Sequence, residues 1–126
     1  SWGSWVGLRA SVSESRRGQK TRGCACVSFP VGADANISEH SYLRDIRFPT
    51  LFVTGSNDEI ADLSVTREMI ETYNAEDHCE LHSIDGATHF YHDRATLTGA
   101  VSRVVEFAEA CVRKQAGDGA NTADAE

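Results

Sequence analysis

No stretch of this sequence is apolar for the roughly 18 residues that a membrane-crossing helix needs, and no signal-peptide pattern is visible. No membrane role is expected, and the cytoplasm is the default location. Positive charge is scarce too: 12 Lys and Arg against 19 Asp and Glu leave a net charge of −7. A protein that tracks nucleic-acid phosphates needs the opposite balance. The one local exception is RRGQKTRG at 16–23, which reads first as a solvated loop between elements. The 4 cysteines lack the paired CxxC spacing of a zinc site and a secretory setting for disulfides, so buried thiols are expected. Cys24 and Cys26 fall on one face of an expected strand, as two small core residues would, with a redox pair the second reading.

What remains is an ordinary globular composition, with 40% apolar and 25% charged residues. A length of 126 residues allows one domain at most, short of a two-layer enzyme of roughly 200–250 residues. The opening SWGSWVGLRAS reads as the middle of an element, so a fragment or truncated sequence is expected. Trp5, Leu8 and Val12 recur at helical spacing over 4–13. CACVSFPV at 24–31 reads as a short buried strand, followed by a turn or helix capped by Ser38. TLFVTG at 50–55 is the clearest strand, DLSVTREMIETYN at 62–74 a helix capped by Asp62 or Ser64, and CELHSI at 79–84 another strand. Leu97, Val101, Val104, Ala108 and Cys111 trace a long amphipathic helix ending near Arg113 and Lys114. The small, polar and acidic residues after it read as a disordered tail, 114–126.

Strands alternating with helices imply a parallel sheet, whose functional groups gather on loops at the strands' carboxyl ends. Asp58, in GSNDEI, and His89, in DGATHFYH, each follow such a strand. A carboxylate beside an imidazole is the orienting half of a nucleophilic triad: it fixes the tautomer and stabilises the imidazolium. Ser1 supplies the nucleophile if SWG is the tail of a G-x-S-x-G elbow. The N–H of Trp2 is then an oxyanion-hole donor.

The order Ser, Asp, His on successive βα elements resembles the C-terminal half of an α/β-hydrolase. PTLFVTGSNDEI and IDGATHFYH are similar to the small esterase-like and dienelactone-hydrolase-like members, including the testis-expressed-hydrolase-like group. The resemblance covers residues 1 to about 112. It implies an incomplete α/β-hydrolase fold over 1–113, a parallel sheet with flanking helices, and a serine hydrolase cutting an ester, thioester or related acyl bond. It implies Ser1 as nucleophile, Asp58 as orienting acid, His89 as general base, no cofactor, no metal and a small-molecule acyl substrate. Many members carry a lid, but only about twenty residues separate the two relevant strands here, so any cap is minimal. The first strands of the family and its second oxyanion donor fall outside the sequence, so this chain alone is expected to be inactive.

Plainer readings stand beside these. Asn57-Asp58 is a common turn pair, Asp62 suits a helix cap better than a triad, and Glu59 decorates the loop. His78 and His82 precede or sit within a strand, away from its carboxyl end, and His92 near His89 has no convincing third metal ligand. The alternative from another class is a non-catalytic hydrolase-like scaffold that binds a protein partner. A flavodoxin-like or response-regulator-like binding domain is a third, and it places Asp58 and His89 too far apart to hydrogen-bond.

Overall fold

A computed structural model describes the backbone of residues 2–125 and the side chains of residues 3–114. The elements follow in the order α1 (Trp2–Arg16), β1 (Cys24–Val27), a 3-10 segment (Ile37–Asp45), β2 (Thr50–Gly55), α2 (Leu63–Thr72), β3 (Cys79–Ile84) and α3 (Arg94–Ala125). The three strands form one sheet in the order β1-β2-β3, parallel throughout, with Cys24 opposite Thr50 and Thr50 opposite Cys79.

All six residues of β2 are buried, which is why this run alone reads as continuously apolar. Alternation along the strand sends Phe52 to one face and Leu51 and Val53 to the other. Phe52 joins Leu8 and Val12 of α1, Met69 and Ile70 of α2, and Leu43 and Ile46. Leu51 and Val53 pack with Ile84, Tyr91 and Ala100 beneath α3. Helices on both faces are what a parallel sheet requires.

The expected strand 24–31 stops at Val27, because Ser28 takes a left-handed conformation at φ 54° and turns the chain into the loop. Asn36 rather than Ser38 caps the 3-10 segment: its side-chain oxygen accepts from the Ser38 N–H at 3.2 Å. Asp62 caps α2 through the Val65 N–H at 2.9 Å. Asp93 does the same for α3, which starts three residues before Leu97. The backbone of α3 runs on to Ala125, past the expected end at 113. The side chains of the expected tail lie outside the described residues from position 115.

On α3 one flank carries Arg103, paired with Glu80 of β3. The opposite flank carries exposed Leu97, Val101, Val105 and Val112. At 100° per residue this stripe turns away from β3, toward the side of β1 where no strand is paired among the described residues. Within those residues no helix is long and apolar enough to cross a membrane.

Candidate active site

The loop after β2 and the loop after β3 are stitched together before either presents a side chain. The Ser56 N–H donates to the Ile84 carbonyl at 3.0 Å, the Asn57 N–H to the Ala87 carbonyl at 3.0 Å, and the Gly86 N–H to Ser56 Oγ at 2.8 Å. Gly86 sits at φ 76°, where glycine costs nothing. Gly55 is required for a different reason. A Cβ there would lie 2.6 Å from the Ala87 carbonyl carbon, so only a residue without a side chain lets the loops close.

These crossings put Asp58 against His89. His89 Nδ1 stands 3.1 Å from Asp58 Oδ1 and 3.0 Å from Oδ2. The Asp58 side chain is fully buried, and Oδ1 also accepts the N–H groups of Ile60 at 2.8 Å and Ala61 at 2.7 Å. A buried carboxyl group needs hydrogen-bond partners, and this one has three in Ile60, Ala61 and His89. The same carboxyl group therefore both closes the turn and faces the imidazole. With Nδ1 donating to the carboxylate, Nε2 is left as the ring's acceptor. The contact excludes the flavodoxin-like alternative, which needs the two residues apart.

α1 runs back along β1 from the carboxyl rim of the sheet. Ser4 Oγ donates to the Val27 carbonyl at 2.9 Å, at the end of β1, and Trp2 opens the helix just before it. Ser1 itself lies outside the described residues. The N–H groups of a helix's first turn have no intrahelical partner, which leaves the Trp2 N–H unclaimed by its own helix.

Two residues at this rim were not legible as site residues. Ser28 and Tyr91 are both buried, both left-handed at φ 54° and 49°, and joined by a hydrogen bond from Ser28 Oγ to the Tyr91 hydroxyl at 3.3 Å. Such backbone conformations cost about 1–3 kcal/mol each and persist where the surroundings fix them. Burial pushes the Tyr91 hydroxyl above its usual pKa, against the Ser28 hydrogen bond and with help from the Asp58 charge. Tyr91 thus stays a neutral floor beside the carboxylate. Positive φ in a serine or tyrosine leaves no sequence signal.

The rival residues go elsewhere. His92 is exposed and lies against the Phe90 ring at 5.7 Å. His82 faces α3 along with Glu80, and His78 precedes β3. His40, not weighed from the sequence, is a core histidine: buried between Trp5, Phe29 and Tyr42, it is held below its usual pKa chiefly by burial. Among the described residues no three His, Cys, Asp or Glu side chains gather as a metal site. A shallow groove of about 260 Å³ opens beside the pair, lined by Asn57, Ile60, Thr88, His89, Phe90 and His92.

A solved structure from Coxiella burnetii, described as an alpha-beta serine hydrolase homologue, matches this arrangement with a TM-score of 0.57 at 22% identity. The match covers 90% of this chain and 45% of that one. The fold is part of an α/β-hydrolase fold. The chain spans less than half the length of the solved relative it matches. No protein-family model matches the chain, and no curated protein does.

Proposed function

We propose that residues 1–113 are the part of an α/β-hydrolase domain that bears its catalytic triad, and that the chemistry is acyl transfer to water. His89 Nε2 takes the proton of Ser1 as its oxygen attacks an ester, thioester or related acyl carbon. Asp58 holds the imidazole through Nδ1 and stabilises its charge. The Trp2 N–H meets the developing oxyanion at the positive end of α1. His89 then hands its proton to the leaving group, and water repeats the sequence on the acyl-enzyme. No cofactor enters any step.

One observation carries this reading: the buried carboxylate and the half-buried imidazole share a hydrogen bond at the rim where α1 begins. The shallow groove beside them suits small acyl groups. The test is labelling by a fluorophosphonate, applied to a longer protein that contains this chain, because the chain alone is expected to be inactive. Labelling lost in Ser1→Ala is the expected result, and labelling that survives that change removes the nucleophile. Turnover of p-nitrophenyl acetate unaffected by His89→Ala removes the base.

A second reading keeps the scaffold and drops the chemistry. It is favoured by the exposed apolar stripe of α3 beside the unpaired side of β1, a surface fit for a protein partner. In a longer protein, a glycine two positions before Ser1 fits the elbow of an enzyme. A bulky residue there fits the scaffold.

A further inference from the structure

Two of the four thiols are within reach of each other. Cys24 and Cys26 are two apart on β1 and so project from the same face, with their sulfurs 3.8 Å apart. α1 lies over them, and the Cys26 thiol has a second acceptor in the Ser4 carbonyl at 3.9 Å. Cys26 is buried and Cys24 half-buried. The other two thiols stand apart. Cys79 is two strands away in register, about 9–10 Å at the backbone, beyond what a disulfide spans. Cys111 belongs to α3.

We propose that Cys24 and Cys26 form a redox-reactive dithiol that a peroxide converts reversibly to a disulfide. Cys24 is the attacking sulfur, being the one solvent reaches. Its thiol is held below the ordinary value, chiefly because a hydrogen bond from Cys26 favours the thiolate, with Ser11 adding to this and burial opposing it. Cys26 is pushed up by the same hydrogen bond and by burial, so it keeps its proton until it is needed. The Cys24 thiolate attacks one peroxide oxygen, the O–O bond breaks, and hydroxide leaves Cys24 as a sulfenic acid. The Cys26 sulfur then attacks the Cys24 sulfur, the S–O bond breaks, and the Cys26 proton and the departing hydroxide leave as water. The balance is two thiols and hydrogen peroxide to one disulfide and two waters.

Residues two apart on a strand have Cα atoms about 6.6 Å apart, near the upper end of the disulfide range. Closing the bridge must therefore bend β1. As an edge strand it has a partner on one side only among the described residues, so bending costs fewer ladder bonds. A bridge formed under such strain is readily reduced, which makes the pair a switch and not a staple.

The test treats the folded protein with hydrogen peroxide, blocks remaining thiols with N-ethylmaleimide and digests it with trypsin. Cys24 and Cys26 fall on a single peptide between Arg22 and Arg44. That peptide is expected to lose two hydrogens and both alkylations, and to regain the alkylations after reduction by a phosphine. Cys79 and Cys111 stay alkylated. In Cys26→Ser the reaction stops at a Cys24 sulfenic acid captured by dimedone, and in Cys24→Ser no sulfenic acid forms at residue 26. A doubly alkylated peptide after peroxide overturns the proposal, as does oxidation that appears first at Cys111 or only as disulfide-linked dimers.

Discussion

The carbonyl of Ala87 occupies the space that a side chain on Gly55 would need, so the loop bearing the acid closes against the loop bearing the histidine only over glycine. Gly55→Ala pushes the two loops apart at the point where the Ser56 and Asn57 N–H groups reach across. The expected cost is about 1–3 kcal/mol, as for other overpacked sites, read as a lower urea midpoint. Amide exchange at Ser56 and Asn57 should speed up with it. An unchanged midpoint with unchanged exchange refutes the closure argument.

Asp58→Asn separates the two jobs of Asp58. The asparagine oxygen still accepts from Ile60 and Ala61, so the turn and the stability hold to within about 1 kcal/mol. Its amide N–H₂ meets His89 Nδ1 and forces the wrong tautomer. Under the proposed function, ester turnover in an active longer protein falls by roughly four orders of magnitude, as in triads so altered. Asp58→Ala loses both roles. Equal turnover in the wild type and Asp58→Asn removes the orienting acid from the reading.

Much of this was legible because the signals were local. β2 is buried on both faces and reads as an apolar run, while Asp58 and His89 follow strands that the pattern marks clearly. A parallel sheet then does the rest, since consecutive strands deliver their carboxyl-end loops to one rim. What was not legible depends on conformation without a residue signature. β1 ends four residues early on a left-handed Ser28, and Asn36 takes the cap expected of Ser38. The helical spacing over 4–13 likewise undercounts α1, which runs to Arg16 where that side chain pairs with Asp45. Tyr91 joins the rim only through its turn.

Thr54 offers a test of the core. It is completely buried on β2, and its hydroxyl has no hydrogen-bond partner among the described residues. A buried hydroxyl left unmatched costs about 1–3 kcal/mol. Thr54→Val removes the polar atom and keeps the branched shape that a strand favours. Stability is therefore expected to rise by about 1 kcal/mol, measured as a higher urea midpoint at unchanged slope. A loss of stability means the hydroxyl has found a partner, such as an ordered water.

His40 sets a pH dependence whose sign follows from its burial. Its folded pKa lies below the ordinary 6.5, chiefly because burial disfavours the charged ring, with Glu39 opposing and Arg9 assisting. Between the lowered folded value and the unfolded value the unfolded chain binds more protons, so stability rises with pH in that window. The contribution is full above pH 6.5 and is lost as pH falls through the folded pKa. His40→Phe keeps an aromatic ring among Trp5, Phe29 and Tyr42 but removes the titrating group. It also removes the 3.2 Å contact between His40 Nδ1 and the Tyr42 hydroxyl, which lowers stability at every pH. The slope is what distinguishes the two effects. Urea midpoints taken from neutral pH to about pH 5 should fall more steeply for the wild type than for His40→Phe. Parallel curves would assign the acid sensitivity to other groups.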